Sequence, residues 1–340
     1  MINFGLIGCG NISRVHAEAL KVIDEACLVA VCDIDERKGK QLATEYQTDF
    51  YQDYQDLLAS KNIDAIIIAT PHYLHKEMTL QGLAADKHVI CEKPMAITVT
   101  EAEEICRAVQ LSKKNYAVCY QNRFNPSFVK FKQLLLEGRF NLLKGLKCEV
   151  TWHRDLDYYR EADWKGTWQE EGGGVLINQA IHTLDVISWF VKCPQKIKGK
   201  IMTSLLENDI EVEDAAMATA LIDETVPVVI HASNNYSSDP TPIVTFDFGK
   251  DIVRLSNKEL WINNQNVLLA TDSDSVAAKD YWGNGHQRLI QTFVNKITGA
   301  SDPYLSYLAS EDAIDSLMMV CGIYDSDRKN QWVELIRNVY

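Results

Sequence analysis

Apolar residues fall into two textures along this chain. Up to about residue 122 they form short unbroken runs: Phe4-Gly5-Leu6-Ile7, Cys27-Leu28-Val29-Ala30-Val31-Cys32, Ala65-Ile66-Ile67-Ile68-Ala69, His88-Val89-Ile90-Cys91 and Tyr116-Ala117-Val118-Cys119-Tyr120. Such runs suit parallel strands buried on both faces. Helical patterns separate them, at about Ile12–Val22, Lys76–Ala85 and Thr100–Lys113. Thr100, with Glu103 three residues on, reads as a capping box opening the last of these. Strand and helix in alternation predict a doubly wound parallel sheet. Beyond residue 122 the texture changes. A helix is expected from Phe128 to Gly138, then an alternating strand from Lys147 to about Arg154. Further strand-like segments at Ala215–Leu221, Val226–Ala232 and Ile243–Phe248 are separated by turn-rich residues. This predicts a mostly antiparallel sheet. Long helices are expected at about His286–Thr298 and Ser310–Asp325. The chain is therefore divided into domains 1–122 and 123–340.

Length agrees with that division, since 340 residues exceed one ordinary core. The net charge of −13, with no Lys/Arg run, argues against nucleic acid and against an anionic membrane surface. No apolar stretch approaches the ~18 residues that would mark a bilayer span. The chain enters a strand at Ile2, leaving no room for a signal peptide. Nine cysteines are scattered without a C-x-x-C pair, which suits free thiols in a reducing cytosol better than disulfides or a metal site. A cytoplasmic protein without a metal centre is expected.

The chemistry gathers where the predicted parallel strands end. After Ile7 comes Gly8-Cys9-Gly10-Asn11-Ile12-Ser13, then a helix. Gly8 permits a tight turn, and Gly10 lets backbone approach a pyrophosphate resting on the helix N-terminus. Ser13 stands where a third glycine is usual. Asp33, ending the next strand, is placed to grip the adenosine ribose hydroxyls and to repel a 2′-phosphate, favouring NAD over NADP. The alternative is that it merely caps the next helix, and Arg14 and Arg37 could reach a 2′-phosphate. Thr70-Pro71-His72-Tyr73-Leu74-His75 follows the third run, and Glu92-Lys93-Pro94 follows the fourth. Ligands of open α/β sheets bind outside such strand ends. In the second half, Gly172-Gly173-Gly174 precedes a helix on which Asn178, His182 and Asp185 form one polar stripe by spacing. The glycines are read as allowing close approach of backbone to a ligand. Trp152, Tyr158, Tyr159, Trp164 and Trp168 either fill a core or wall a sugar or nicotinamide site.

These motifs, with Asn122-Arg123-Phe124-Asn125-Pro126 and the tail Tyr281-Trp282-Gly283-Asn284-Gly285-His286, resemble the Gfo/Idh/MocA oxidoreductases over nearly the whole chain. The resemblance implies an α/β protein: an N-terminal Rossmann dinucleotide-binding domain plus a C-terminal α+β domain with a large, mostly antiparallel open sheet. It implies cofactor contacts from Gly8, Gly10, Asn11, Ile12, Asp33, Thr70, Pro71, His72, His75, Glu92 and Lys93, with Trp164 and Lys165 where the family often has Trp-Arg. It implies Lys93 and His182 as catalytic, Asn178 beside them, and Lys93, Arg123, Tyr158, Asn178 and His182 as substrate-binding. Many members carry Asp at the position of Asn178, and Asn can only orient a hydroxyl. The implied activity is hydride transfer between NAD(P) and a secondary alcohol of a cyclic polyol, sugar or sugar derivative. A redox-type glycosidase and a non-catalytic NAD(P)-binding sensor share the fold. A homodimer or homotetramer through the C-terminal sheet is also implied.

Overall fold

A computed structural model of the chain describes residues 1–269 and 285–337. The first elements are β1 (Ile2–Ile7), α1 (Ser13–Lys21), β2 (Ala26–Cys32), α2 (Glu36–Tyr46), β3 (Asp49–Tyr51), α3 (Tyr54–Ala59) and β4 (Ala65–Ile68). Then come α4 (His75–Ala84), β5 (His88–Cys91), α5 (Val99–Leu111), β6 (Tyr116–Val118), α6 (Pro126–Leu136), β7 (Gly145–Thr151), α7 (Leu156–Arg160) and α8 (Ile181–Phe190). The rest are β8 (Lys196–Met202), β9 (Ala215–Ile222), β10 (Val226–Ser233), β11 (Ile243–Asp247), β12 (Ile252–Leu255), β13 (Glu259–Ile262), β14 (Gln265–Leu269), α9 (Gly285–Thr298), α10 (Ile314–Lys329) and β15 (Val333–Glu334).

Two compact units result. The first takes residues 1–96, 100–124 and, of the described residues, 285–313; the second takes 97–99, 125–269 and 314–337. The expected break at 122/123 lies beside this division. The return of 285–313 to the first unit differs from the expectation of two contiguous domains. It follows from α9, whose apolar face packs on α1 and on the turn Gln121–Phe124.

In the first unit six parallel strands run in the order β3-β2-β1-β4-β5-β6. Every side chain of β4 is fully buried, which is why that strand reads as an unbroken apolar run. Chain order reverses between β1 and β4, whose last residues Ile7 and Ile68 pair. Helix α5 starts at Val99, so Thr100 lies inside it and Thr98 occupies the capping position. Helix α10 begins at Ile314, four residues later than expected, because Glu311–Ala313 forms a 3₁₀ turn.

The second unit is built on a nine-stranded sheet, β14-β13-β12-β11-β7-β10-β9-β8-β15, antiparallel except for the pair β7–β10. Alternation decides its faces. On β9, Ala216, Ala218, Ala220 and Ile222 are buried while Met217 is 53% exposed. Helix α10 packs on β8 and on α8. All nine cysteines are free thiols. Among the described residues no helix is long and apolar enough to cross a membrane.

Candidate functional site

The first unit presents a polar edge at the carboxyl ends of its strands. Gly8 has φ +98°, and a Cβ there would lie 2.4 Å from the Ala69 carbonyl oxygen, so only glycine fits between the turns after β1 and β4. At Gly10 a Cβ would meet nothing within 4 Å, so the space beside its backbone is open. Asn11 is exposed, Ile12 precedes the first residue of α1, and the Ser13 hydroxyl donates to the Gly10 carbonyl at 2.6 Å. Asp33 accepts the Cys9 N–H at 2.7 Å and the Asp35 N–H at 2.8 Å. The cap of α2 is Asp35, which accepts from Arg37 and Lys38, so capping is not the work of Asp33. Arg14 is paired with Glu45 at 2.8 Å.

Thr70 and Pro71 are half-buried at the end of β4, and His72 is buried. His75, read as a cofactor contact, is fully buried, with Nδ1 2.6 Å from the Pro94 carbonyl and Nε2 2.9 Å from the Thr70 carbonyl. Its ring ties the turn after β4 to the turn after β5, and burial holds its pKa below the usual histidine range against both carbonyls. The Lys93–Pro94 peptide is cis. Lys93 is half-buried and Glu92 buried. Glu92 is held by a residue the sequence reading passed over. His16 on α1, fully buried, places Nε2 2.7 Å from Glu92 Oε1, while Glu92 Oε2 accepts the Lys93 N–H at 3.2 Å. Burial alone would push the Glu92 carboxyl up. The bond and charge of His16, then His286 and Lys93, outweigh it and hold the carboxyl well below the usual range. The His286 ring stands edge-on to His16 at 5.5 Å; burial and then His16 bring its pKa down to about 4. His16, Glu92 and Cys119 have donor atoms within 4.8 Å of one another. With imidazole and carboxylate bonded directly at 2.7 Å, the trio reads as a hydrogen-bonded set rather than as a metal cage. Arg123, expected to touch substrate, is 1% exposed and its guanidinium donates to Asp312 at 2.7 Å.

The second unit holds the histidine helix. Its three glycines are explained by packing rather than by a ligand, a correction to the sequence reading. A Cβ at Gly172 would lie 2.6 Å from Ile97 Cβ, one at Gly173 2.0 Å from Tyr324 Oη, and one at Gly174 1.9 Å from the Glu213 carbonyl oxygen. Glu213, 1% exposed, accepts the Gly174 N–H at 2.9 Å, the Leu176 N–H at 3.0 Å and the Tyr324 hydroxyl at 2.9 Å. Burial nonetheless pushes its carboxyl up to about 7.

Residues Leu176–Ala180 form a π turn that leads into α8. A π turn bonds residues five apart, and such turns concentrate at functional sites. From Gly173 to Ile187 every residue is buried except Asn178 and His182, which are half-buried. Asp185 is fully buried and does not extend their stripe. Asn178 Nδ2 donates to Glu171 Oε1 at 2.6 Å and to Tyr158 Oη at 3.1 Å. Gln179 Nε2 also reaches Tyr158 Oη, at 3.1 Å. Burial, and then the Glu171 charge, raise the Tyr158 phenol well above its ordinary value, so it stays protonated. Lys165 lies over the Tyr158 ring at 3.8 Å and bonds Glu161 at 2.8 Å; Trp164 is half-buried beside it in sequence. Of the aromatic cluster, Trp152 and Tyr159 are buried, whereas Trp168 is 40% exposed, edge-on to Tyr324. The structure thus joins Asn178 to Glu171 and to Tyr158, with Lys165 over the Tyr158 ring. Glu171 stands directly before the glycine triplet, the one signal that could have found it. Asn284 and the three residues before it in the tail motif lie outside the described residues.

Comparison with known proteins agrees with these two halves. Residues 2–120 match the model of the oxidoreductase family with an NAD-binding Rossmann fold, and residues 128–249 match the GFO/IDH/MocA C-terminal domain. Inositol 2-dehydrogenase of Rubrobacter xylanophilus is 32% identical over 196 residues, covering 56% of this chain and 52% of that protein. D-glucoside 3-dehydrogenase of Escherichia coli is 29% identical over 197 residues, covering 57% and 55%. The chain spans about half the length of these curated relatives. The structure of the WlbA dehydrogenase of Bordetella pertussis, in complex with NADH and UDP-GlcNAcA, superposes with TM-score 0.84 at 26% identity and covers 99% of both chains. With both family domains matched in chain order, and a glycine turn and Asp33 at the strand ends where a dinucleotide is held, the chain belongs to the Gfo/Idh/MocA oxidoreductase family.

Proposed function

We propose that this protein is an NAD-dependent dehydrogenase that oxidises a secondary alcohol of a cyclic polyol, a sugar or a sugar derivative. The observation that carries the reading is the pair Asn178 and His182, the two half-buried side chains on an otherwise buried helical stretch. The first unit fits the cofactor: Gly10 leaves room at its backbone, and Asp33 stands at the end of β2 with its carboxylate fixed. Gly8, Gly10, Asn11 and Ile12 would hold the pyrophosphate, Asp33 the adenosine ribose, and Glu92 the nicotinamide-side ribose, with Thr70, Pro71 and His72 alongside. The chemistry the cofactor supplies when bound is two-electron hydride acceptance at the nicotinamide.

The chain's own residues handle the proton. His182 takes the hydroxyl proton as general base. The Lys93 ammonium donates a hydrogen bond to the same oxygen and stabilises developing alkoxide charge. Asn178 orients the hydroxyl, as worked out below. Assembly as a homodimer or homotetramer is supported by the open sheet face, where Met217 and Val229 are 53% and 49% exposed; light scattering reads it directly.

The test is NADH formation, followed by absorbance, over a panel of inositols, aldoses, sugar phosphates and UDP-sugars. Turnover with one class, faster with NAD than with NADP, is expected. His182→Ala should then lower kcat by ~10²–10⁴-fold, and Lys93→Met should cut turnover while NAD still binds. Silence across the panel in a protein that binds NAD would refute the dehydrogenase reading.

A further inference from the structure

Position 178 poses a chemical question, because an amide can face a substrate with either a donor or an acceptor. The hydrogen-bond network answers it. Glu171 is 1% exposed, and its Oε2 accepts the Gly166 N–H at 2.5 Å. Its Oε1 lies 2.6 Å from Asn178 Nδ2. The opposite amide orientation would set Oδ1 against a carboxylate oxygen at that distance, two acceptors face to face. The second N–H of Asn178 goes to Tyr158 Oη, and that oxygen is further fixed by Gln179 Nε2. Gln179 is itself oriented, since its Oε1 accepts from Asn234 Nδ2 at 3.2 Å. Both donors of Asn178 are therefore spent within the protein. Any further partner meets Oδ1, an acceptor.

We propose that Glu171 is a positioning residue for catalysis. Its buried carboxylate turns the Asn178 amide so that position 178 presents an acceptor, and the site selects a substrate hydroxyl, a donor, at that point. Asn178 thereby does the orienting work a carboxylate would do, with the negative charge held one hydrogen bond away on Glu171. This rests on the dehydrogenase reading above, in which Asn178 faces substrate.

The experiment is a charge swap. Glu171→Gln replaces an acceptor-only group with an amide that can donate, so Asn178 is free to turn over. Asn178→Asp alone sets two carboxylates against each other. The double variant Glu171→Gln/Asn178→Asp restores one carboxylate and one amide with the donor reversed, leaving an acceptor at 178. On the substrate class found in the panel, each single change should lower kcat/KM roughly 10- to 100-fold, the scale of a misplaced orienting group. NAD affinity should not move, and the double variant should recover most of the loss. Thermal unfolding of all four proteins separates folding from positioning. A double variant that regains stability but not kcat/KM would show a structural contact only and overturn the proposal. So would Glu171→Gln at wild-type kcat/KM. A wild type inert across the panel while binding NAD refutes the dehydrogenase reading, and this inference with it; an active wild type insensitive to the swap refutes this inference alone.

Discussion

Glu92 accepts a 2.7 Å hydrogen bond from His16, a residue 76 positions earlier in the chain, and the bond sets the charge of the strand end that carries Lys93. An ionised carboxylate can only accept, so the His16 Nε2–H is the donor. Burial opposes the charge on Glu92, and His16 is the largest influence restoring it. His16→Leu should leave a buried carboxylate short of a donor and cost about 1–3 kcal/mol at neutral pH. The sign with pH follows. A depressed folded pKa contributes stability above the unfolded carboxylate value and loses it as pH falls through the folded value. The variant loses that contribution, so its acid unfolding should begin at higher pH than in the wild type. His16→Gln, which keeps a donor, should lie between. Circular dichroism followed from pH 7 downward reads the midpoint; coincident midpoints for His16→Leu and wild type would show that His16 does not hold the charge.

Glu213 runs the other way. Burial raises its carboxyl to about 7 from an ordinary 4.5, despite the N–H and O–H groups that point at it. Tyr324 and Tyr159 are the titratable neighbours with which it interacts. A carboxyl with a raised folded pKa contributes stability fully present below the unfolded value and lost as pH rises through about 7. The amount is on the order of 3 kcal/mol for a fully buried group. Thermal unfolding of the wild type should therefore weaken from pH 5 to pH 8. Glu213→Gln, which cannot ionise, should be less stable at pH 5 for want of an acceptor, yet show a flatter slope. Parallel slopes in the two proteins would mean that Glu213 does not titrate in this range.

These two carboxylates also show where sequence reasoning stops. The strands of the first unit were legible because β4 and β5 are buried on both faces and so carry unbroken apolar runs; the ends of β5, His88 and Cys91, are the ends of its run. The strands β9, β10 and β11 were legible from their alternation. Pairing was not: the parallel contact of β10 with β7 joins segments some eighty residues apart, and nothing local records it. The same holds for charge. His16 looks like any helical histidine until β5 brings Glu92 to it, and Glu171 looks like a solvated acid until the chain turns at Gly172 and buries it against Asn178. The ion pair of Arg123 was hidden in the same way, since its partner Asp312 arrives from the far end of the chain. The candidate site was thus readable as residue types at strand ends and on one helix, and not as the hydrogen bonds that hold them.

The glycine triplet gives a sharper prediction about the histidine helix. At Gly174 the obstacle to a methyl is the Glu213 carbonyl, 1.9 Å away, which is backbone and cannot swing aside. Gly174→Ala should therefore displace the loop from the backbone of Glu213, just ahead of β9, and destabilise by at least the roughly 1–3 kcal/mol typical of overpacking. At Gly173 the obstacle is the Tyr324 hydroxyl, and φ is +149°. Tyr324→Phe in the Gly173→Ala background should relieve the contact with the oxygen but not the backbone strain, giving partial rescue. Urea denaturation measures both. A Gly174→Ala protein as stable as the wild type would mean that the loop is not seated on Glu213.

At Gly10 the argument inverts, and that makes it the cleanest probe of the cofactor edge. Among the described residues a methyl there meets no packed atom within 4 Å, so Gly10→Ala should leave the melting temperature of the cofactor-free protein where it is. If the pyrophosphate of NAD passes over this backbone, the methyl takes up the space the phosphates need. NAD affinity should then fall tenfold or more, which corresponds to about 1.4 kcal/mol. Gly8→Ala is the contrast. Its methyl collides with the Ala69 carbonyl at 2.4 Å and requires φ +98°, so it should lower the melting temperature before any cofactor is added. Calorimetric titration of NAD into both proteins, with their melts recorded alongside, separates room for a ligand from room for the fold. Wild-type affinity in Gly10→Ala would mean that the phosphates lie elsewhere, and the assignments of Asn11 and Ile12 to the pyrophosphate would fall with it.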